Sequence, residues 1–136
     1  MKTKINAYLC FGGNCADAMK FYDKAFGTKH EACHYKDAPP CDEMPLTRET
    51  ENYVMHGAIK LDEGQELFFC DVPNAAAFNS AINVSLAFDT ETRAKAVFKA
   101  LAVGGKITQP IGKVFWSACY GSVTDKFGVN WMVTVL

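Results

Sequence analysis

A short pattern occurs twice in this chain and limits what it can become. Ile5-Asn6-x-x-Leu9-x-Phe11 returns as Ile82-Asn83-x-x-Leu86-x-Phe88, and the same offset aligns Phe21 with Phe98, Ala25 with Ala102, Gly27 with Gly104 and Lys29 with Lys106. Matches kept in order through one strand-like and one helix-like stretch indicate two copies of one supersecondary unit. Each copy reads as a strand, a helix and three further strands, over residues 1–73 and 82–136. At 136 residues, 49% of them hydrophobic and 12% aromatic, the chain has the size of one domain with a core of its own.

The first strand is expected from Lys4 to Phe11, with Ile5, Ala7, Leu9 and Phe11 on one face and Asn6, Tyr8 and Cys10 on the other. Gly12 and Gly13 break it. Asn14, with Asp17 three residues on, is expected to cap a helix that buries Ala18, Phe21, Tyr22 and Ala25 and stops at Gly27. A strand is predicted over Thr28–Tyr35, and Asp37–Tyr53, with its three prolines, reads as a long surface loop. Such loops serve as lids, as dimer contacts or as nothing in particular, and the residues leave all three open. Val54–Leu61 and Gln65–Asp71 form a hairpin around Asp62, Glu63 and Gly64, and 72–81 is irregular.

The second copy begins with a strand over Ile82–Phe88. Asp89 or Thr90 then caps a helix carrying Ala94, Val97, Phe98 and Leu101, closed by Gly104 and Gly105. A short strand, Lys106–Gln109, precedes Pro110. The stretch Lys113–Leu136 is a terminal hairpin turning at Asp125–Gly128, in which Trp131, Val133 and Val135 face the core and Asn130, Met132 and Thr134 face away.

A net charge of −1 gives no electrostatic footprint for nucleic acid or an anionic membrane. No apolar run approaches a membrane span, and MKTKINAYLC lacks the apolar region of a secretory signal, so a soluble cytoplasmic protein is expected. The six cysteines form no CxxC pair, and several sit inside hydrophobic strand patterns. They read as reduced, small buried residues. His30 and His34, four apart in a strand, would lie some 13 Å apart at roughly 3.3 Å per residue, too far to share one ion. Cys33, Cys41, Asp42 and Glu43 show no recognised ligand spacing.

The run FWSACYGSVTDKFGVNWMV closely resembles the C-terminal signature of the PhnB-like proteins, and YLCFGGNCADAMKFYDKAFG resembles their opening. These proteins are a branch of the glyoxalase, bleomycin-resistance and extradiol-dioxygenase superfamily, also called vicinal oxygen chelate proteins. The resemblance implies an α+β fold of two βαβββ modules in one domain, with curved mixed sheets around a central cavity, and a homodimer. In metal-dependent members four strand positions carry His and Glu ligands. Matched strand by strand, those positions fall on Asn6, Phe68, Asn83 and Met132, with Phe68 uncertain by about one residue. Amides, a phenyl ring and a thioether make a poor donor set for a divalent ion, so no metal and no cofactor are expected. Some relatives carry a 3-demethylubiquinone methyltransferase label, but GGNC lacks the glycine-rich fingerprint of a nucleotide-type cofactor loop and reads as a strand-to-helix turn.

The faces turned from the helices define the expected ligand site. They bring Asn6, Tyr8, Cys10, Phe68, Asn83, Asn130 and Met132 to the cavity, together with Ser85, Ala87 and Thr134, while Trp116 and Tyr120 supply aromatic walls. Neutral amides among rings and sulfur suit a small uncharged or aromatic molecule, because a charged one would be desolvated without a partner. No histidine is placed beside Cys10 or Cys70 by the sequence, so no catalytic residue is assigned. Two other readings stay open: a lyase, isomerase or oxygenase of the superfamily, with or without a metal, and a non-catalytic dimeric interaction protein.

Overall fold

The computed structural model describes residues 2–39 and 46–136. Contacts divide it into two compact units, Met1–Ala76 and Ala77–Leu136. The first unit runs β1 (Ala7–Phe11), α1 (Cys15–Phe26), β2 (Glu31–His34), β3 (Val54–Lys60) and β4 (Glu66–Asp71). The second repeats the order with β5 (Val84–Phe88), α2 (Glu91–Ala102), β6 (Lys106–Val114), β7 (Ser117–Thr124) and β8 (Asn130–Val135). The fold class is α+β, as expected. Each unit is a mixed four-stranded sheet, ordered β1-β4-β3-β2 in one and β5-β8-β7-β6 in the other. The first and last strands of each unit pair in parallel, and the other pairs are antiparallel.

Register makes the duplication exact in kind. Tyr8 pairs with Phe68, and Ser85, its counterpart in the repeat, pairs with Met132. Phe68 and Met132 are therefore equivalent, as repeat symmetry suggested. On the next strand, Gly57 opposite Phe69 matches Gly121 opposite Val133, and His56 matches Tyr120.

In the first unit α1 covers one face of its sheet. It buries Cys15, Ala18, Met19, Tyr22 and Phe26, three to four residues apart, and Tyr22 stacks on Phe69 at 5.8 Å between centroids. The buried stripe is rotated from the expected one, since Phe21 and Ala25 are only half-buried. Gly27 ends the helix in the left-handed region, as predicted, with its N–H on the Asp23 carbonyl. In the second unit α2 buries Ala94, Val97, Phe98 and Leu101, the four residues foreseen. Thr90 caps it by accepting the Arg93 N–H at 3.2 Å.

Five expectations need correction. Asn14 occupies the N-cap of α1, but its side chain makes no capping bond. The work falls to Asp71 at the end of β4, whose Oδ1 accepts the N–H groups of Gly13 (2.7 Å) and Cys15 (3.0 Å) while Oδ2 accepts that of Val54 (2.9 Å). A carboxylate from a distant strand beats the local amide because it ties down three backbone donors at once, two of them buried.

The first strands of the units start later than predicted. Ile5 and Ile82 lie before β1 and β5 and are largely exposed, because pairing begins only at Ala7 with Leu67 and at Val84 with Trp131. β2 is likewise shorter than the predicted Thr28–Tyr35, and Tyr35–Asp37 forms a single 3-10 turn.

β6 does not stop at Gln109 but passes through Pro110 to Val114. It is an edge strand of its sheet and shifts register three times against β7, so a residue without an N–H is tolerated there. Finally, Cys15, Cys70 and Cys119 are buried as expected, but Cys10 is exposed and Cys33 half-buried, and all five are free thiols. Cys41, Asp42 and Glu43 fall outside the described residues.

Candidate functional site on the open face of the first sheet

Because successive strand residues point to opposite sides, covering one face with α1 leaves Tyr8 and Cys10 of β1, Phe68 and Cys70 of β4 and His56 of β3 on the other. Cross-strand register brings them together. The Tyr8 hydroxyl lies 2.9 Å from His56 Nδ1, one of the two donating according to the histidine tautomer. Phe68 completes a triangle, its ring 5.7 Å from Tyr8 and 5.2 Å from His56. The rings meet tilted or edge to face, the arrangement favoured by aromatic quadrupoles.

Two residues along the strands, Cys70 donates to Cys10 with the sulfurs 3.5 Å apart. Burial, and then contact with the Cys10 thiol, pushes Cys70 up to about 12; hydrogen bonding with Tyr8 pulls the other way. Tyr8 itself is raised, first by desolvation and then by the neighbouring sulfurs Cys70 and Cys10. Both groups therefore stay protonated at neutral pH, in a patch of two rings, two sulfurs and one imidazole.

Of the predicted site residues, the structure brings Tyr8, Cys10 and Phe68 together in the first unit, while Asn6 lies before β1 with its amide on the Glu66 carbonyl. His56 is the residue sequence reasoning missed. Its signal was present: counting back from the hairpin turn puts His56, Ala58 and Lys60 on the side opposite Gly57 and Ile59. In the second unit Trp116 and Tyr120 meet at 5.3 Å near the β6–β7 turn, where Phe115 lies edge-on to Trp116 at 4.7 Å. Met132 is half-buried on the open face of β8.

The asparagines are less available than expected. Asn6 Nδ2 donates to the Glu66 carbonyl, Asn83 Nδ2 to that of Ser80, and Asn130 Nδ2 to that of Asn79. Asn130 also accepts the Thr124 hydroxyl at 2.6 Å. Their amides hold strand ends in place.

The metal positions implied by the superfamily do not fit an ion in either unit: Asn6 and Phe68 give one amide and a phenyl ring, Asn83 and Met132 one amide and a thioether. Among the described residues no group of three or more His, Cys, Asp or Glu side chains is arranged to hold a metal. His30 sits on Asp23 Oδ2 and His34 lies 3.9 Å from Asp37, so each faces a carboxylate partner of its own. The turn at Gly12-Gly13 offers no anion cradle either. The amides of Gly13 and Cys15 at the start of α1 are already taken by Asp71.

Two βαβββ units, each with its first and last strands paired in parallel and a helix on one face, define a glyoxalase-type fold. The fold is shared with a glyoxylase/bleomycin resistance protein/dioxygenase domain from Frankia sp. EAN1pec, with a TM-score of 0.69 at 10% identity over 99% of this chain and 98% of that one. Within that class the chain belongs to the PhnB-like family whose model is described as 3-demethylubiquinone-9 3-methyltransferase, which matches residues 3–134. It is 33% identical to protein PA1353 from Pseudomonas aeruginosa, with a TM-score of 0.82 and 98% of each chain covered. A putative 3-demethylubiquinone-9 3-methyltransferase, PhnB protein, from Bacillus cereus is 31% identical, with a TM-score of 0.76 over 98% of this chain and all of that one. Protein YjdN of Escherichia coli K12 is 29% identical over 145 residues, covering 97% of this chain and 95% of that protein.

Proposed function

We propose that this protein binds a small, uncharged, aromatic or apolar-bodied molecule on the open face of its first sheet. The observation that carries the reading is the Tyr8–His56 hydrogen bond set against Phe68: a polar edge able to donate and accept, beside a ring able to stack. A carboxylate or ammonium ligand would exchange its hydration for a phenol hydroxyl, an imidazole and an aromatic ring, whereas a neutral phenol or amide gives up less hydration to bind there. Tyr8 and His56 replace the asparagines as the orienting groups. The cavity implied by the family resemblance, the cytoplasmic location, and residues 1–136 as one duplicated domain belong to the same proposal. For the described residues, no helix is long and apolar enough to cross a membrane.

The test is a calorimetric or NMR titration with a panel of small phenols, aromatic amides and their charged analogues. Neutral compounds should bind, shift the resonances of Tyr8, His56 and Phe68, and lose affinity at least tenfold in both Tyr8→Phe and Phe68→Ala. Preference for charged acids, or binding indifferent to both substitutions, overturns the proposal.

A second reading, the dimeric interaction protein, has its own support in the β6–β7 turn, where Phe115 is 97% and Trp116 60% exposed. Adjacent aromatic rings left in water favour burial against a second copy. Light scattering of the native protein should then give twice the chain mass, and a Phe115→Ser/Trp116→Ser variant the mass of one chain. A native monomer rejects this reading.

A further inference from the structure

Cys10 and Cys70 are register partners on adjacent parallel strands, on the same face, with their sulfurs in hydrogen-bond contact at 3.5 Å. Paired strands run about 4.8 Å apart, which falls within the Cα separation of about 4.4–6.8 Å that a disulfide spans. The two thiols are not equivalent. Cys10 is exposed and meets solvent oxidants, whereas Cys70 is buried behind it. Cys15 and Cys119 are buried, and Cys33 lies on β2, at the opposite edge of the sheet from β1. A buried thiol touching an exposed one, directly across a strand pair, is the arrangement of a resolving thiol beside an attacking one.

We propose that Cys10 and Cys70 form a reversible dithiol–disulfide site that is oxidised by peroxides and reset by dithiol reductants. In the first step the Cys10 thiolate attacks the peroxide, breaking its O–O bond. A sulfur–oxygen bond forms, and the alkoxide or hydroxide leaving group takes a proton. In the second, the Cys70 sulfur attacks the Cys10 sulfenic acid, the S–S bond forms, and the displaced hydroxide leaves as water with the Cys70 proton. The thiols together give up two electrons and two protons, and the peroxide becomes one alcohol and one water, or two waters from hydrogen peroxide. The order of attack follows from the environment: in the reduced pair burial and the neighbouring Cys10 keep Cys70 protonated. Once Cys10 is a sulfenic acid, the contribution of its thiol to that hold is gone. The new bond would fasten β1 to β4 two residues from Tyr8 and Phe68. The inference stands independently of the ligand reading.

The test uses the native protein treated with a slight excess of hydrogen peroxide, blocked with an alkylating agent and mapped without reduction. The expected result is an intact mass about 2 Da lower before alkylation, a cross-linked peptide pair carrying Cys10 and Cys70, and recovery of both thiols after a dithiol reductant. In Cys70→Ser, Cys10 should stop at a sulfenic acid that a 1,3-dione probe captures, while in Cys10→Ser Cys70 should stay reduced. A native protein in which Cys10 oxidises while Cys70 remains alkylatable, or in which another pair is linked, overturns the proposal. So does a folded Cys10→Ser variant whose Cys70 oxidises as fast as in the native chain.

Discussion

Gly57 of β3 and Gly121 of β7 hold the same place in their sheets, and each is the point where a helix comes down onto the strands. A Cβ on Gly57 would lie 2.5 Å from Met19 Sδ of α1. One on Gly121 would lie 2.9 Å from the Phe98 ring of α2 and 2.8 Å from the Ile111 backbone. The consequences differ because a thioether end can swing aside, whereas a ring and a main chain cannot. Gly57→Ala should therefore cost about 1 kcal/mol and Gly121→Ala about 3 kcal/mol in urea unfolding, and equal costs would refute the distinction.

Asp71 holds three backbone donors from the α1 entry and the start of β3. Removing it in Asp71→Ala takes that partner from all three, two of them buried, and about 3–5 kcal/mol of stability should be lost. Asp71→Asn, which keeps one oxygen, should lose about half as much. Hydrogen exchange should quicken first at the amides of Gly13, Cys15 and Val54.

Trp131 is fully buried and donates its indole N–H to Asp125 Oδ2 at 2.8 Å, while Asp125 Oδ1 accepts from Phe127 and Val129 in the turn. Asp125→Ala should destabilise by about 2–4 kcal/mol, through the loss of these buried acceptors. A change below about 0.5 kcal/mol in denaturant unfolding would show the turn to be held by other means.

Burial raises the thiols of both Cys15 and Cys70 above the ordinary cysteine value of 9.0, in Cys70 to about 12. Folding thus favours their protonated forms. The stability this confers is complete below about pH 9 and drains away as pH climbs toward 12. Native protein should lose stability between pH 8 and pH 10.5, as read by the urea midpoint under reducing conditions. A Cys15→Ala/Cys70→Ala variant should lose visibly less over the same interval, and parallel pH curves would contradict the assignment.

Tyr8 and His56 touch on an exposed face, so their bond orders the site more than it stabilises the fold. Tyr8→Phe should leave stability within about 0.5 kcal/mol of native. The ring 15N shifts of His56 should nevertheless move, because Nδ1 loses its partner. Unchanged shifts would mean the bond does not persist in solution.

The α2 stripe of Ala94, Val97, Phe98 and Leu101 was legible because helical spacing and burial coincide there, and the terminal hairpin because Asp125–Gly128 is local turn chemistry. Tyr8 and Cys10 were legible as an outward-facing pair because alternation along a strand is also local, whereas the strand of Phe68 is apolar on both faces and only the repeat pointed to that residue. The cap supplied by Asp71 was not legible, since its donors lie at Gly13, Cys15 and Val54, far from it along the chain. Nor was His56, since nothing near it in sequence announces Tyr8 as its partner. The match of Gly57 to Gly121 escaped for a related reason: the long 37–53 loop changes the offset between the copies after the first helix, so a repeat search that starts well loses step.

What the chain dictates alone is therefore its periodic content: two βαβββ units, which residues each strand turns inward, and where each helix stops. These follow from hydrophobic alternation and from turn residues whose effects reach only a few positions. Strand register was decided by the tertiary structure, because only pairing β1 with β4 sets Cys10 beside Cys70, and only pairing β3 with β4 brings His56 to Tyr8 and Phe68. Such neighbours are fixed by hydrogen-bond ladders between distant segments, and composition carries no record of them.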